Sequence, residues 1–217
     1  MRAHPHYNPY SIRVPSEKPD WQSVFPTQQP LDLEIGFSNG TWLIDYAAQN
    51  PTRNVTGVET RSIFIAEAKA RIVARGLTNA YALQANASTA LTELFSLDSL
   101  SRIFVLFPDP WYKGRHLRRR VIQPAFLEMI YPLLTMDGEL YIATDKQDFS
   151  LDMLRDVEAS GLFTNVAGAN NYVEQTIPGV TTDIERYHLR LQHPIYRLQF
   201  KKLNQIPGDN DTNSICR

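Results

Sequence analysis

The sequence contains almost no cysteine. Its single thiol, Cys216, is second from the C-terminus, so an internal disulfide cannot form, and it lacks the neighbours that a metal site would need. We therefore expect neither a disulfide framework nor a bound metal, and we interpret Cys216 as a thiol of the tail.

Long hydrophobic runs are missing as well. No stretch approaches the roughly 18 uninterrupted apolar residues of a membrane span, and the chain does not open with a basic start and an apolar segment. We expect a soluble, cytoplasmic protein with no membrane partner. A chain of 217 residues that is 43% hydrophobic predicts one substantial core rather than two.

An overall excess of positive charge is also absent, since the net charge is −1. The segment K-G-R-H-L-R-R-R, Lys113–Arg120, is the exception, with five formal positive charges and no acid. Charge runs are often only solvated faces. A basic patch on an acidic body is, however, typical of nucleic-acid binding, and the residues that precede this run favour that interpretation.

The two ends of the chain differ from its middle. Residues 1–30 contain six prolines, which predicts an extended arm with no regular helix or central strand. From Pro207 the chain is rich in turn formers and poor in apolar residues, so residues 204–217 are expected to be a disordered tail. The folded domain is therefore predicted over residues 31–203.

Strand and helix patterns alternate five times in that domain. The predicted strands are L-D-L-E-I-G from Leu31 and the segments 54–59, 79–85, 101–107 and 138–144; the predicted helices are 41–49, 61–75, 87–95 and 121–134. This alternation predicts a parallel sheet with helices on both faces, because crossovers between parallel strands need helices. The segment P-I-Y-R-L-Q-F follows a stretch that we interpret as non-helical and is expected at an antiparallel edge.

Acidic residues stand at the ends of the first two predicted strands, where open α/β sheets bind ligands. The first strand runs into E-I-G-F-S-N-G, which has Ser38 and Thr41 where a dinucleotide motif would have glycines. Glu59 ends the second strand and offers two oxygens for the hydroxyls of a ribose. Together with Glu34 it suggests an adenosine ligand without a diphosphate. The alternative is that each glutamate only caps or is exposed.

The fourth strand is followed by the most specific motif, F-P-D-P-W-Y-K-G-R-H-L-R-R-R, Phe107–Arg120. Its two prolines stiffen the loop around Asp109 and hold a carboxylate beside the indole of Trp111, just before the basic segment. Such a layout suits chemistry on a nucleobase. The alternative is a rigid turn with Trp111 packed in the core.

The motif closely resembles the signature of the bacterial tRNA (guanine-N7)-methyltransferase family. The blocks E-I-G-F, G-V-E, A-N-A, A-T-D and T-D-I-E-R are also similar and occur in the same order, so the resemblance covers residues 31–201. It implies a class I methyltransferase fold, which is a doubly wound α/β fold with a mostly parallel, seven-stranded sheet and an antiparallel last strand. It also implies S-adenosylmethionine as cofactor and tRNA as partner, with a variable-loop guanine methylated to 7-methylguanosine. The protein is expected to be a monomer or homodimer.

The resemblance also implies roles for individual residues. Asp109 would be catalytic. The cofactor site would contain Glu34, Gly36, Gly40, Glu59, Asn86 and Asp109. The RNA substrate would contact Lys113, Arg115, His116, Arg118, Arg119, Arg120, Asp145, Thr182, Asp183, Ile184 and Glu185. For Thr182 and Glu185 a helix capping box explains the same spacing without any substrate.

The chain departs from the family pattern at three places: Ser38 replaces a usual glycine, Asn86 a frequent aspartate, and Gln192-His193 the glycine before the last strand. Two other functions are also open. Asp-Pro-Trp loosely resembles the motif of methyltransferases that act on exocyclic amines, although the second proline is absent. A non-catalytic RNA-binding protein could keep the basic segment and lose the cofactor.

Overall fold

One sheet of seven strands organises the part of the chain that the computed structural model describes, residues 18–175 and 180–204. The strands are β1 (Leu31–Ile35), β2 (Asn54–Glu59), β3 (Ala80–Gln84), β4 (Leu100–Leu106), β5 (Leu134–Thr144), β6 (Phe163–Asn165) and β7 (Tyr196–Lys202). The helices are α1 (Trp21–Val24), α2 (Thr41–Gln49), α3 (Ser62–Ala74), α4 (Ala87–Leu94), α5 (Pro124–Ile130), α6 (Gln147–Ala159) and α7 (Asp183–Arg190). Two 3₁₀ segments lie at Gly114–Arg119 and Tyr131–Leu133.

The strand order is β3-β2-β1-β4-β5-β7-β6. Strands β1 to β5 are parallel, and β7 runs antiparallel to both β5 and β6. This confirms the predicted doubly wound sheet with an antiparallel last strand. The expected edge position of that strand is wrong, because β6 pairs with the outer side of β7 and is itself the edge strand. The chain places β2 and β3 on one side of β1 and then places β4 on the other side, so the strand order reverses at β1. A ligand-binding crevice is expected where the order reverses, at the carboxyl ends of β1 and β4.

Each face of the sheet buries its own apolar cluster, as alternating side chains require. Val105 packs with residues of α4, α5 and α6 on one face, whereas its neighbour Phe104 packs with α2 and α3 on the other. None of the helices within residues 18–175 and 180–204 is long and apolar enough to cross a membrane.

The segment before β1 corrects one prediction. Residues 21–24 form a short helix, so the expectation that the first 30 residues contain no regular helix is wrong there. Asp20 caps this helix by accepting from Gln22 N, and the Trp21 ring stacks on Phe95 with centroids 5.1 Å apart. Burial of aromatic surface therefore stabilises a helical turn that the flanking prolines permit.

The region between β5 and β7 contains elements that the periodicity did not predict: α6, β6 and α7. The stretch before β7 is not entirely non-helical, since α7 lies within it. The buried residue of this helix is Glu185, which pairs with Arg197 of β7, so no buried apolar face holds it. Apolar residues do recur at helical spacing, but they are about half-exposed: Ile184, Tyr187 and Leu191. The predicted tail beyond residue 204, and Cys216 with it, lies outside the described residues.

Candidate active site at the carboxyl ends of the strands

The site begins with two glutamates on adjacent strands. Glu34 lies opposite Gly57 in the β1–β2 register, two residues before Glu59, and both carboxylates are buried. Glu34 Oε2 has no hydrogen-bond partner among the described residues. Burial, and then the charge of Glu59, raise the pKa of Glu34 to about 8.

Glu59 is surrounded by donors instead. Its Oε2 accepts from Ser38 N at 3.1 Å, and its Oε1 accepts from Thr60 N at 2.7 Å and from Arg61 N at 3.1 Å. The Arg61 guanidinium adds two contacts, Nε to Oε1 at 3.1 Å and Nη2 to Oε2 at 3.0 Å. Burial favours the neutral acid, but Arg61 and the backbone N–H groups outweigh it and lower the pKa of Glu59.

The turn after β1 allows a close approach to its backbone. Gly36 has φ 76°, and no atom beyond its immediate neighbours lies within 4 Å of the position that a side chain would take. Gly40 is the N-cap of α2 with φ 72°, and a Cβ there would lie 2.9 Å from Ala68 Cβ. Ser38, between them, adopts φ 49° without being glycine. The loop therefore keeps the shape of a glycine turn despite the serine.

Asn86 follows β3 and is buried at the start of α4. Its side-chain oxygen caps the helix by accepting from Ser88 N at 3.0 Å. The role of Asn86 in cofactor binding stays a prediction.

The loop after β4 carries Asp109 with its carboxylate exposed to solvent. Phe107 and Trp111, two residues on either side, have φ values of 52° and 44°. Bulky side chains rarely adopt this left-handed region, and such strain is concentrated at functional sites. The backbone geometry therefore agrees with a functional role for this loop.

The basic segment continues from that loop into the 3₁₀ segment Gly114–Arg119. Its predicted RNA contacts are Lys113, Arg115, His116, Arg118, Arg119 and Arg120. The exposed ones are Lys113, Arg115 and Arg118. The guanidinium of Arg119 lies 5.2 Å from the centre of the Trp111 ring, whereas Arg120 is only 15% exposed and pairs with Asp152. Some basic residues of the segment are therefore exposed to solvent, whereas others contact side chains of the protein itself.

Asp145 lies immediately after β5, at the same edge of the sheet as Asp109. Its Oδ2 contacts Lys146 Nζ at 2.5 Å and His188 Nε2 of α7 at 3.4 Å. Helix α7 thus contacts the end of β5 through His188. The predicted contact of Asp145 with RNA is untested by this geometry and stays a prediction.

The segment Thr182–Glu185 begins α7. Thr182 and Glu185 form both bonds of a capping box, which confirms the alternative interpretation of their spacing. Asp183 accepts from Asn39 Nδ2 at 3.0 Å and so joins α7 to the turn after β1. Ile184 is 46% exposed. Contact of these residues with RNA also stays a prediction.

The sequence analysis did not identify several residues that contact the site. Arg61 and Asp152 belong to no motif, although an arginine two positions after a strand-end glutamate is a local signal for the Arg61 pair. Asn39 lies within E-I-G-F-S-N-G, but the segment gave no reason to expect its contact with Asp183. Asp152 meets Arg120 from 32 positions away, so no local pattern indicates it.

Two features fit this crevice to S-adenosylmethionine. The unpartnered, buried Glu34 Oε2 can accept from a cationic or N–H group of the cofactor, and the open side of Gly36 lets a ligand approach the backbone. The sheet order places both at the crevice beside the strained Asp109 loop. Fold and site together define a class I, S-adenosylmethionine-dependent methyltransferase.

Comparison with known proteins narrows this class. A family model described as a putative methyltransferase matches residues 28–198. The tRNA (guanine-N(7)-)-methyltransferase of Pseudomonas savastanoi is 31% identical over 195 residues, covering 90% of this chain and 80% of that protein. The enzyme of the same description from Paraburkholderia xenovorans is 33% identical over 186 residues, covering 86% and 71%. The chain belongs to the tRNA (guanine-N7)-methyltransferase family, as its central motif predicted.

Solved structures confirm the fold alone. The 16S rRNA methyltransferase KamB superposes with a TM-score of 0.61 at 19% identity, covering 86% of this chain and 95% of that one. A SAM-dependent methyltransferase from Aquifex aeolicus gives 0.54 at 13% identity, covering 90% and 98%. Family membership implies S-adenosylmethionine as the cofactor.

Proposed function

We propose that this protein transfers a methyl group from S-adenosylmethionine to N7 of a guanine in the variable loop of tRNA, giving 7-methylguanosine. The observation that carries the proposal is the position of Asp109. Its loop lies at the carboxyl end of β4, next to β1 with its buried Glu34, and runs directly into the exposed cations Lys113, Arg115 and Arg118. The Asp109 carboxylate thus lies between the crevice proposed to bind the cofactor and the exposed cations proposed to bind tRNA phosphates.

Guanine N7 carries a lone pair and no proton, so its attack on a methyl group needs no general base. S-adenosylmethionine, when bound, supplies that methyl group from a sulfonium. Positioning should therefore dominate catalysis. As the methyl group moves, positive charge develops on the purine, and the Asp109 carboxylate would stabilise it. We assign Asp109 an orienting and electrostatic role and no proton transfer.

The cofactor would be held by the residues around the crevice. Glu34 would accept from a donor of the cofactor, Gly36 and Gly40 would shape the turn that approaches it, and Glu59 would accept from the ribose hydroxyls. Asn86 would line the adenine or ribose side. Because Glu59 already accepts from Arg61, its ribose role requires that Arg61 yield at least part of this pair.

A tRNA that carries 7-deazaguanine at the target position tests the nucleophile. This base keeps the Watson–Crick edge and the phosphates but has carbon in place of N7. We expect filter binding at a similar strength, because phosphate contacts carry most of the affinity. Transfer of a labelled methyl group should disappear, while an ordinary unmodified tRNA, measured in parallel, should be methylated.

The two other functions give different results in this paired assay. An enzyme that acts on an exocyclic amine would methylate both RNAs, because both retain the amine. A non-catalytic binding protein would bind both and methylate neither. Methylation of the deaza substrate would therefore refute the N7 assignment, and absence of methylation on the unmodified tRNA would refute the enzymatic one.

The expected cytoplasmic location and the monomeric or homodimeric state also remain predictions. Fractionation of cells and light scattering of the purified protein would test them.

A further inference from the structure

Arg120 is the last residue of the basic segment, but its surroundings differ from those of its exposed neighbour Arg118. Its side chain is only 15% exposed. Its Nε donates to the carbonyl oxygen of Pro110 at 2.8 Å, and its Nη1 donates to Asp152 Oδ2 of α6 at 2.9 Å. The guanidinium also lies 4.6 Å from the centre of the buried Phe149 ring.

These contacts hold the guanidinium between two elements. Phe149 and Asp152 are three positions apart on α6, so both face the same side of the helix. The third contact of the guanidinium is with Pro110, the residue that follows Asp109. Arg120 therefore joins α6, a rigid helix packed on the sheet, to the loop that carries the carboxylate.

The other end of the loop is fixed as well. Phe107 N donates to Ala143 O of β5 at 2.7 Å. Asp109 thus lies between two anchors, Phe107 on β5 and Pro110 on α6 through Arg120. The strained φ angles of Phe107 and Trp111 need such anchors, because a strained backbone persists only where its surroundings hold it.

We propose that Arg120 and Asp152 are positioning residues for Asp109, and that Arg120 acts through the loop rather than as a phosphate contact. This inference rests on the proposed function, since it assigns the pair a role in methyl transfer. It replaces, for Arg120 alone, the RNA contact expected from the sequence. The carboxylate of Asp152 lowers the freedom of the guanidinium, and the guanidinium fixes the Pro110 carbonyl. A small displacement of a catalytic group has a large effect on rate.

The test compares Arg120→Ala, Asp152→Asn and Asp152→Ala with Arg118→Ala. For the first three we expect single-turnover methyl transfer to fall by at least about tenfold, as misplacement of a catalytic group predicts. The slope of log tRNA affinity against log salt should stay at the value of the parent protein. The Asp152→Asn variant keeps one acceptor oxygen and should lose less than Asp152→Ala. In Arg118→Ala the salt slope should flatten by about 0.7 to 0.9, because a phosphate contact is lost.

Arg155→Ala is the matched control. Arg155 is 70% exposed and also contacts Asp152, at 2.9 Å. Its ion pairs within the described residues are with Asp152 and Asp156 of its own helix and not with the loop. Its loss should leave the transfer rate within about twofold of the parent, because an exposed ion pair contributes little energy. The double variant Arg120→Ala/Asp152→Ala should be no slower than Arg120→Ala, because the two residues act through one contact.

Two results would overturn the inference. One is a flattened salt slope for Arg120→Ala, which would make it a phosphate contact. The other is a transfer rate within about threefold of the parent in both Arg120→Ala and Asp152→Ala, a change of well under 1.4 kcal/mol in the barrier.

A third measurement does not depend on catalysis. Hydrogen exchange of the segment 107–120 should quicken in Asp152→Asn and Asp152→Ala and stay unchanged in Arg155→Ala. Unchanged exchange in both Asp152 variants would also overturn the inference. If the parent protein methylates no tRNA, the proposed function fails, while this exchange comparison still decides whether Arg120 and Asp152 hold the loop.

Discussion

The guanidinium of Arg61 lies along the carboxylate of Glu59, with one N–H on each oxygen at 3.1 and 3.0 Å. The predicted ribose acceptor therefore already has a forked partner within the protein. A ribose diol would need the same two oxygens. The affinity for the cofactor should then reflect a competition between Arg61 and the ribose.

Replacing Arg61 by Met should tighten S-adenosylmethionine binding. The arginine side chain is 37% exposed, so solvent screening keeps the pair weak, and we expect a roughly three- to tenfold lower Kd. Titration calorimetry measures the Kd, with Lys69→Met in α3, the helix whose N-cap residue is Arg61, as the control. Weaker binding in Arg61→Met would mean that Arg61 assists the cofactor instead.

Glu34 should make the protein less stable as the pH rises. Its pKa is about 8 in the folded protein and near 4.5 when unfolded, so between these values only the folded state holds the proton. The stabilisation is complete below the unfolded pKa and is lost as the pH rises through the folded pKa. Over this window the contribution falls by up to about 1.4 kcal/mol per pH unit.

Urea unfolding of the parent and of Glu34→Gln between pH 5 and 8.5 tests this. The variant cannot titrate at this position and should show a flatter dependence of the unfolding free energy on pH. Glu59, whose pKa is lowered, loses its stabilisation only at more acidic pH and does not interfere. Parallel curves for the two proteins would contradict the raised pKa.

Removing the Asp109 carboxylate should slow methyl transfer without abolishing tRNA binding. We expect Asp109→Ala to reduce the single-turnover rate by on the order of 100-fold or more, as loss of one preorganised electrostatic group does. Asp137→Ala is the control, since Asp137 is exposed near the opposite end of β5. A rate within about threefold of the parent would exclude the electrostatic role.

The exposed arginine Arg118 and the partly buried Arg119 should contact phosphates. Replacing either by Ala should flatten the slope of log affinity against log salt by about 0.7 to 0.9 per lost contact. Arg75, paired with Asp45 at the far end of α3, provides a control in which the slope should not change. Unchanged slopes for both Arg118→Ala and Arg119→Ala would place the RNA elsewhere.

The sequence by itself determined the fold class and the family. Alternating apolar segments predicted β1 to β4 and α2 to α4 within about two residues, because their buried faces impose a period on the chain. The fifth strand was predicted only from residue 138, whereas β5 begins at Leu134, the last residue of the helix predicted over 121–134. The central motif Phe107–Arg120 indicated the family and placed Asp109 in a stiff loop after the fourth strand. This was possible because the motif is one contiguous segment and does not depend on residues elsewhere in the chain.

Only the tertiary structure decided which charged groups are buried and what holds them. Arg118 and Arg120 are alike in sequence, but Arg118 is exposed, whereas Arg120 is mostly buried and is held by Asp152 and Pro110. Likewise α7 is held by the pair of Glu185 with Arg197, 12 positions away, and not by a buried apolar face. Such pairs depend on which distant segments meet in the folded protein, and the periodicity of apolar residues within one segment does not predict this.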